Sequence, residues 1–269
     1  MKLKLARASL IVSLLLPLYF MAAALGVKFG LWSWQTGLMK MIIQIGAPLI
    51  GLTLLLGLAA TAVTVFRKPR TGWQMALAGL LVPVLALAYV GQVQSRSARI
   101  PPIHDVATDI VDPPVFSSAV MATRQAAGAN PVNAMDAPMG SLPAYKGPGF
   151  AALAAKTLGQ VGHEAYPAVR SLALPTSPDR VAAAAEAEAK AQGWTLTTSN
   201  PGGGVIEATA ETFWFGFKDD VAIRVRPGAS GGSVVDVRST SRVGLSDIGA
   251  NAARIEAFLA SLKVRAAGG

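Results

Sequence analysis

The pattern of apolar and polar positions changes at Ser95. Before it run three stretches with no charged side chain: Ala8 to Val27, Met41 to Phe66 and Thr71 to Ser95. Roughly 20 apolar residues cross a hydrocarbon core of about 30 Å. In lipid such a run is helical, because nothing else there satisfies the backbone. Residues 1–95 are therefore expected to form three transmembrane helices. Each stretch holds one proline (Pro17, Pro48, Pro83), which predicts kinks. Gly26 and Gly30 match a small-residue packing pattern, though only at a span end.

From about Tyr166 the period becomes that of strands and amphipathic helices. Val169 to Leu174 reads as a strand. Ser177 and Pro178 open an alanine-rich helix that runs to Gln192 and stops at Gly193. Trp194 to Ser199 and Val205 to Thr212 alternate as strands, joined by a turn at Asn200-Pro201-Gly202-Gly203. Val221, Ile223 and Val225 alternate with charges, as do Val235 and Val237. Pairing Val225 with Val235 sets Ile223 opposite Val237. It also sets Arg224 opposite Asp236, and Asp220 diagonal to Arg238, on the other face. A slip of one residue would turn Asp236 and Arg238 into the core, so the pattern specifies this register. Ser246 is the expected cap of a last helix, with Asp247 at its positive end. Ile248, Ala252, Ile255, Leu259 and Leu262 form its expected buried stripe. The fold class is α+β: a three-helix transmembrane bundle, then an antiparallel sheet in the order β-α-β-β-β-β-α with two helices packed on it. The expected divisions are 1–95 for the membrane region, 96–165 for a proline-rich irregular arm or linker, and 166–265 for the α+β domain.

In the arm, eight prolines between Pro101 and Pro148 forbid a continuous helix. Its segment IHDVATDIVDPPVF carries His104, Asp105, Asp109 and Asp112, but lone carboxylates and a lone histidine are ordinarily solvated or capping groups. No metal site and no cofactor are assigned.

Two segments carry a resemblance. DDVAIRVR…GSVVDVRSTSRVGLSDIGANAARI resembles the signature of the bacterial and plastid family numbered fourteen ninety-nine among the domains of unknown function. IHDVATDIVDPPVF resembles the start of that family's domain. The likeness covers roughly Ile100 to Leu262. It implies three spans followed by this domain, and it brings no reaction, cofactor or catalytic residue.

Charge adds a direction. Eight of the 24 lysines and arginines precede Ser95, where there is no acid; the rest nearly balance the 15 acids. The basic character thus belongs to the membrane half and does not point to nucleic acid. Lys2, Lys4 and Arg7, with Arg67, Lys68 and Arg70, are expected on the cytoplasmic side. The domain after Ser95 is then exported, making the chain an inner-membrane protein with a periplasmic domain. Reading residues 1–24 as a cleaved signal peptide exports the same domain. With no cysteine, disulfides and thiolate chemistry are excluded.

The polar set Asp219, Asp220, Arg224, Arg226, Asp236, Arg238, Arg242, Asp247, Asn251 and Arg254 is the candidate site. One reading is a salt-bridge framework holding the sheet to the last helix. The other is a recognition groove, since arginine forks bind carboxylates and phosphates. The functional expectation is a non-enzymatic, membrane-anchored envelope protein recognising an anionic lipid or a protein partner. The alternative is an envelope hydrolase using paired acids such as Asp219, Asp220 and Asp247. Gly228-Ala229-Ser230-Gly231-Gly232 matches G-x-S-x-G, but between two strands and without the strand-to-helix elbow that motif requires.

Overall fold

A computed structural model describes residues 1–229 and 231–268. The chain forms two compact units. One comprises Met1–Ala98 and Thr212–Gly216; the other comprises Arg99–Glu211 and the chain from Phe217 onward. Ser230, the centre of the G-x-S-x-G match, lies outside the described residues.

In the first unit, α1 is Lys2–Lys28. A π-helical segment, Gln35–Gly46, continues directly into α2, Ala47–Phe66, with Pro48 near the junction. The third helix, α3, is Trp73–Ser97. These three stretches are long and apolar enough to cross a membrane. Their buried positions are mostly small: Ala6, Ser9, Ser13, Ala23 and Ala24 on α1, Thr53, Gly57, Ala60 and Thr64 on α2, Ala76 and Gly79 on α3. Leucines such as Leu14, Leu52, Leu55 and Leu81 face outward. Lipid is as apolar as leucine, so close backbone approach holds such helices together and small residues permit it. At Gly79 an added Cβ would lie 2.7 Å from Ser9 Oγ and 2.9 Å from Leu10 N. Ser13 Oγ also donates to the Gly79 carbonyl. Gly26 is closed in too, since its Cβ would strike the Trp32 ring. At the other end of α1, Lys2 Nζ donates to the carbonyls of Arg67 and Lys68, each at 2.9 Å.

The second unit is a six-stranded antiparallel sheet with helices against it. Its elements are β1 Asp105–Ala107, α4 Ser118–Ala126, α5 Leu158–Ala165, β2 Leu172–Leu174, α6 Pro178–Ala191, β3 Thr195–Asn200, β4 Val205–Glu211, β5 Lys218–Pro227, β6 Ser233–Ser241 and α7 Ala250–Gly268. The strand order is β1-β6-β5-β4-β3, and β2 pairs with the start of β6. The β5–β6 register is the one the alternation specifies: Val225 opposite Val235, Ile223 opposite Val237, Arg224 opposite Asp236.

That register gives the sheet two unlike faces. Ile206, Val221, Ile223, Val225, Val235 and Val237 pack on α6 and α7, through residues such as Val181, Ala185, Ile255, Phe258 and Leu262. The opposite face carries Glu207, Asp220, Arg224, Asp236, Arg238 and Thr240, and most of these are buried as well. What covers them is chain from 108 to 133. Ser117 caps α4 with its side chain, and Glu207 Oε1 accepts from the Ser117 N–H at 2.6 Å, tying α4 to β4. Within 96–165, then, β1 joins the sheet, α4 lies over its charged face, and α5 opens with a capping box at Thr157.

The start of the last helix departs from expectation. The Asp247 carboxylate receives the N–H groups of Gly249 and Asn251, each at 2.8 Å, and Ser246 Oγ receives only that of Ile248, before the helix, at 3.2 Å. Making that turn sets Ile248 and Gly249 both at positive φ, 54° and 81°. Ile248 is therefore thrown out of the buried stripe and is 42% exposed. A β-branched residue at positive φ is a genuine backbone outlier.

Close packing of α1 on α3 has a measurable consequence. Gly79→Leu should lower the thermal midpoint in mild detergent by several degrees, since overpacking costs about 1–3 kcal/mol. Gly91→Leu should leave it unchanged, because a Cβ added at Gly91 meets nothing within 4 Å. Equal midpoints for the two variants would refute the close packing.

Candidate functional site

The ten candidate residues do not form one site. Successive strand residues point to opposite faces, so Asp219 and Asp220 diverge, and the set divides with them.

On the helix face, Arg254 of α7 reaches back to β5, its Nη2 2.6 Å from Asp219 Oδ2. Asn251 is fully buried beneath it. Its amide donates to the His104 carbonyl and to Ser241 Oγ, while its oxygen accepts from Ser239 Oγ and Arg254 Nη1. All four hydrogen-bonding positions of the amide are filled. Asp247 sits at the end of this cluster. Burial pushes its carboxyl above the usual range, against the N–H groups of Asn251 and Gly249 that favour the charge. Burial also pushes the nearby Tyr145 phenol up to about 12, with the charges of Asp105 and Asp247 adding to the effect.

On the opposite face are three acid-centred clusters. Asp220 holds two arginines: Arg124 Nη1 at 2.6 Å, and Arg242 through Nε at 2.9 Å and Nη2 at 2.7 Å. Thr209 Oγ1 donates to it as well. Burial pushes the Asp220 carboxyl up, but the Arg242 fork, Arg124 and Thr209 outweigh it and hold it below the ordinary carboxylate range. Asp105 of β1 takes the side of the Arg238 guanidinium in a fork, at 2.9 and 2.6 Å, and accepts from Thr240 Oγ1. Arg238 also donates to the Asn133 carbonyl. Asp236, fully buried, receives Arg226 at 2.7 Å and Arg224 at 3.2 Å, with Ser171 Oγ on its other oxygen. Asp109 and Asp112 close this last cluster from outside. At Asp109 burial raises the pKa, but the Asp112 and Val111 N–H groups and the two arginines together outweigh it and leave the carboxyl below its ordinary range.

Every arginine of the candidate set thus meets a carboxylate of the same domain. Arg226, at 40% side-chain exposure, is the most accessible. The acids of the IHDVATDIVDPPVF segment do not converge on one point: Asp105 faces Arg238, whereas Asp109 and Asp112 face Arg224 and Arg226. Among the described residues there is no group of three His, Asp or Glu placed to hold a metal. Shallow concavities among the described residues include two beside helices. One borders α4 (Ser118, Met121, Arg124, Asn130); the other lies between the β2 approach and α7 (Arg170, Leu172, Glu256, Lys263). Neither brings two of the candidate acids together.

Sequence reasoning missed Arg124, the second cation on Asp220. A signal existed: Val120 and Arg124 are four apart behind the Ser117 cap, so they share the face of α4 that is buried. It also missed that Asp105 belongs to the charged face of the sheet. No periodicity marks a strand of three residues.

Buried and rim charges should respond differently to mutation. Asp220→Ala leaves Arg124 and Arg242 facing each other without a counter-charge, and should cost about 3–5 kcal/mol, the range for breaking a buried pair. Arg226→Ala should cost clearly less than Asp220→Ala, because buried Asp236 keeps Arg224 at 3.2 Å and the Ser171 hydroxyl as partners. Acid should act on the same cluster. Because the folded pKa of Asp220 lies below the unfolded value of roughly 3.9, its stabilisation is present above that pH and is lost as pH falls through the folded pKa. Thermal midpoints of the wild type and Asp220→Asn across pH 2–6 should converge at the acid end. A constant gap between the two curves would contradict the assignment.

No curated protein matches the chain. The model of one family, described as a protein of unknown function (DUF1499), matches residues 105–262, from β1 into α7. That match covers more than half of the chain and contains all four ionic clusters, and the protein belongs to the DUF1499 family.

Proposed function

We propose that this is an integral membrane protein of the cell envelope, with its N-terminus in the cytoplasm and its DUF1499 domain on the periplasmic side of the inner membrane. In this reading the domain is a non-enzymatic binding module that takes an anionic lipid or a protein partner. One observation carries the orientation. The Lys2 ammonium bonds to the Arg67 and Lys68 carbonyls, so the two basic clusters of the sequence share one end of the bundle. Lys2, Lys4, Arg7, Arg67, Lys68 and Arg70 lie there with no acid before Asp105. Such an end favours the cytoplasm, and anionic head groups of that leaflet suit it. Three spans then deliver the chain after Ser97 to the opposite side.

The choice of binder over hydrolase rests on the carboxylates. Asp219 and Asp220 lie on opposite faces of β5, and each is matched to arginine. Asp247 is engaged by two backbone N–H groups. A general acid and base need to converge on one cleft, and these do not. Within the candidate set Arg226 is the most exposed arginine, and one acid alongside it, Asp112, is itself mostly exposed.

The orientation is tested with two C-terminal fusions, to alkaline phosphatase, which matures only outside the cytoplasm, and to a fluorescent protein that matures only within it. An active phosphatase and a dark fluorescent fusion are expected. The opposite pair would place the domain in the cytoplasm and end the envelope reading.

A further inference from the structure

Between β4 and β5 the chain reads Thr212-Phe213-Trp214-Phe215-Gly216. Loops that face water are ordinarily polar, yet Phe213 is 70% and Trp214 48% exposed. Their rings pack edge to face on each other, with centroids 5.2 Å apart. Among the described residues the other exposed aromatic rings are Phe29, Phe66, Trp73 and Tyr89, all in the segment that holds the apolar helices. Exposed aromatic side chains are thus confined to the unit that holds the apolar helices, of which this loop is part: Lys28 Nζ at the end of α1 donates to the Phe213 carbonyl at 2.7 Å and lies over its ring.

Chain length brings a membrane within the domain's reach. The third span ends at Ser97 and β1 begins at Asp105. Ile103 is already buried in the domain, and its carbonyl accepts from the Asp247 N–H. The free tether is therefore about five residues, at most about 18 Å when fully extended. A domain of this size has a radius of gyration of roughly 15 Å. On so short a tether, head groups of the bilayer lie within reach of the domain's surface. Tryptophan gathers at that level because its ring prefers the apolar boundary while the indole N–H remains wet, and a neighbouring phenylalanine adds apolar area.

We propose that the loop Thr212–Gly216 is a second membrane contact, with Phe213 and Trp214 seated in the interfacial region of the bilayer that the three helices cross. The contact is apolar, so it takes zwitterionic and anionic lipid alike. It rests on the reading that the helices span a membrane, and it holds for either orientation of the chain.

The chain has no cysteine, so single cysteines can be introduced for spin labelling. Phe213→Cys and Trp214→Cys are the test positions. Val111→Cys, at a residue 92% exposed in the arm, is the water reference. Leu55→Cys, at an outward-facing position of α2, is the lipid reference. Each labelled full-length protein is placed in phosphatidylcholine nanodiscs, and collision rates with oxygen and with a water-soluble nickel chelate are compared. Labels at 213 and 214 should show an oxygen-to-nickel ratio severalfold above that at 111 and shifted towards that at 55. A ratio equal to that at 111 overturns the proposal. Shielding from both reagents overturns it too, because that marks burial against protein, either a partner or a second copy. If the label at 55 is as open to nickel as the one at 111, the bundle itself is not in lipid, and the spanning reading fails separately.

Discussion

The sheet domain depends on having to bury both faces of one sheet when only one of them is apolar. The second face carries Asp220, Asp236 and Arg238, all buried. An unpaired charge there would cost several kcal/mol, and a pair repays that only with good geometry and further hydrogen bonds. The three clusters meet both conditions. Asp105 and Arg238 meet through a two-bond fork with Thr240 and Asn133 completing it. Asp220 accepts from two guanidinium groups and a hydroxyl. The partners come largely from residues 105–133, so the proline-rich segment is fixed by the charges it covers and not by any helical or strand period of its own.

This explains what could be read in advance. The β5–β6 register follows from alternation, because a one-residue slip would exchange valines for arginine and aspartate in the core. The bounds of α6 follow from Pro178 at its first position and Gly193 after its end, while Ser177 holds the N-cap position without a side-chain hydrogen bond. The arm could not be read in the same way. β1 is three residues long and exists because Asp105 and Thr240 are paired across it. The candidate polar residues were recognised individually, but grouping them as one site ignored the pleat that sends Asp219 and Asp220 apart. Ile248 failed for a different reason. It fits a helical stripe by spacing, yet the carboxylate before it captures the N–H groups beyond it and turns it outward.

The membrane half obeys the opposite rule, and composition made it easy to read. Without water there is no force driving leucine inward, so leucine faces out and Ser9, Gly57, Ala60 and Gly79 face in. Span length and charge were visible as uninterrupted runs. The pairing of helices was not, because it depends on which small residues meet: Gly79 against Ser9 and Leu10, and Gly57 against Leu80.

The matched charges also restrict how the domain can act. A guanidinium already engaged with a buried carboxylate can take a new anion only by giving up its partner, which then remains buried and unpaired. Arg238 and Arg124, almost fully buried, are closed to ligands for that reason. Arg226 differs in degree: it is the most exposed of the set, and its buried partner Asp236 still keeps Arg224 and the Ser171 hydroxyl if Arg226 turns to a new anion. In the proposed binding role, recognition would therefore fall at the rim of the charged face, which the interior network holds in place. Such a network favours a rigid charged face, which is what the proposed binding role needs, since rearranging any one pair would leave a buried charge without its partner.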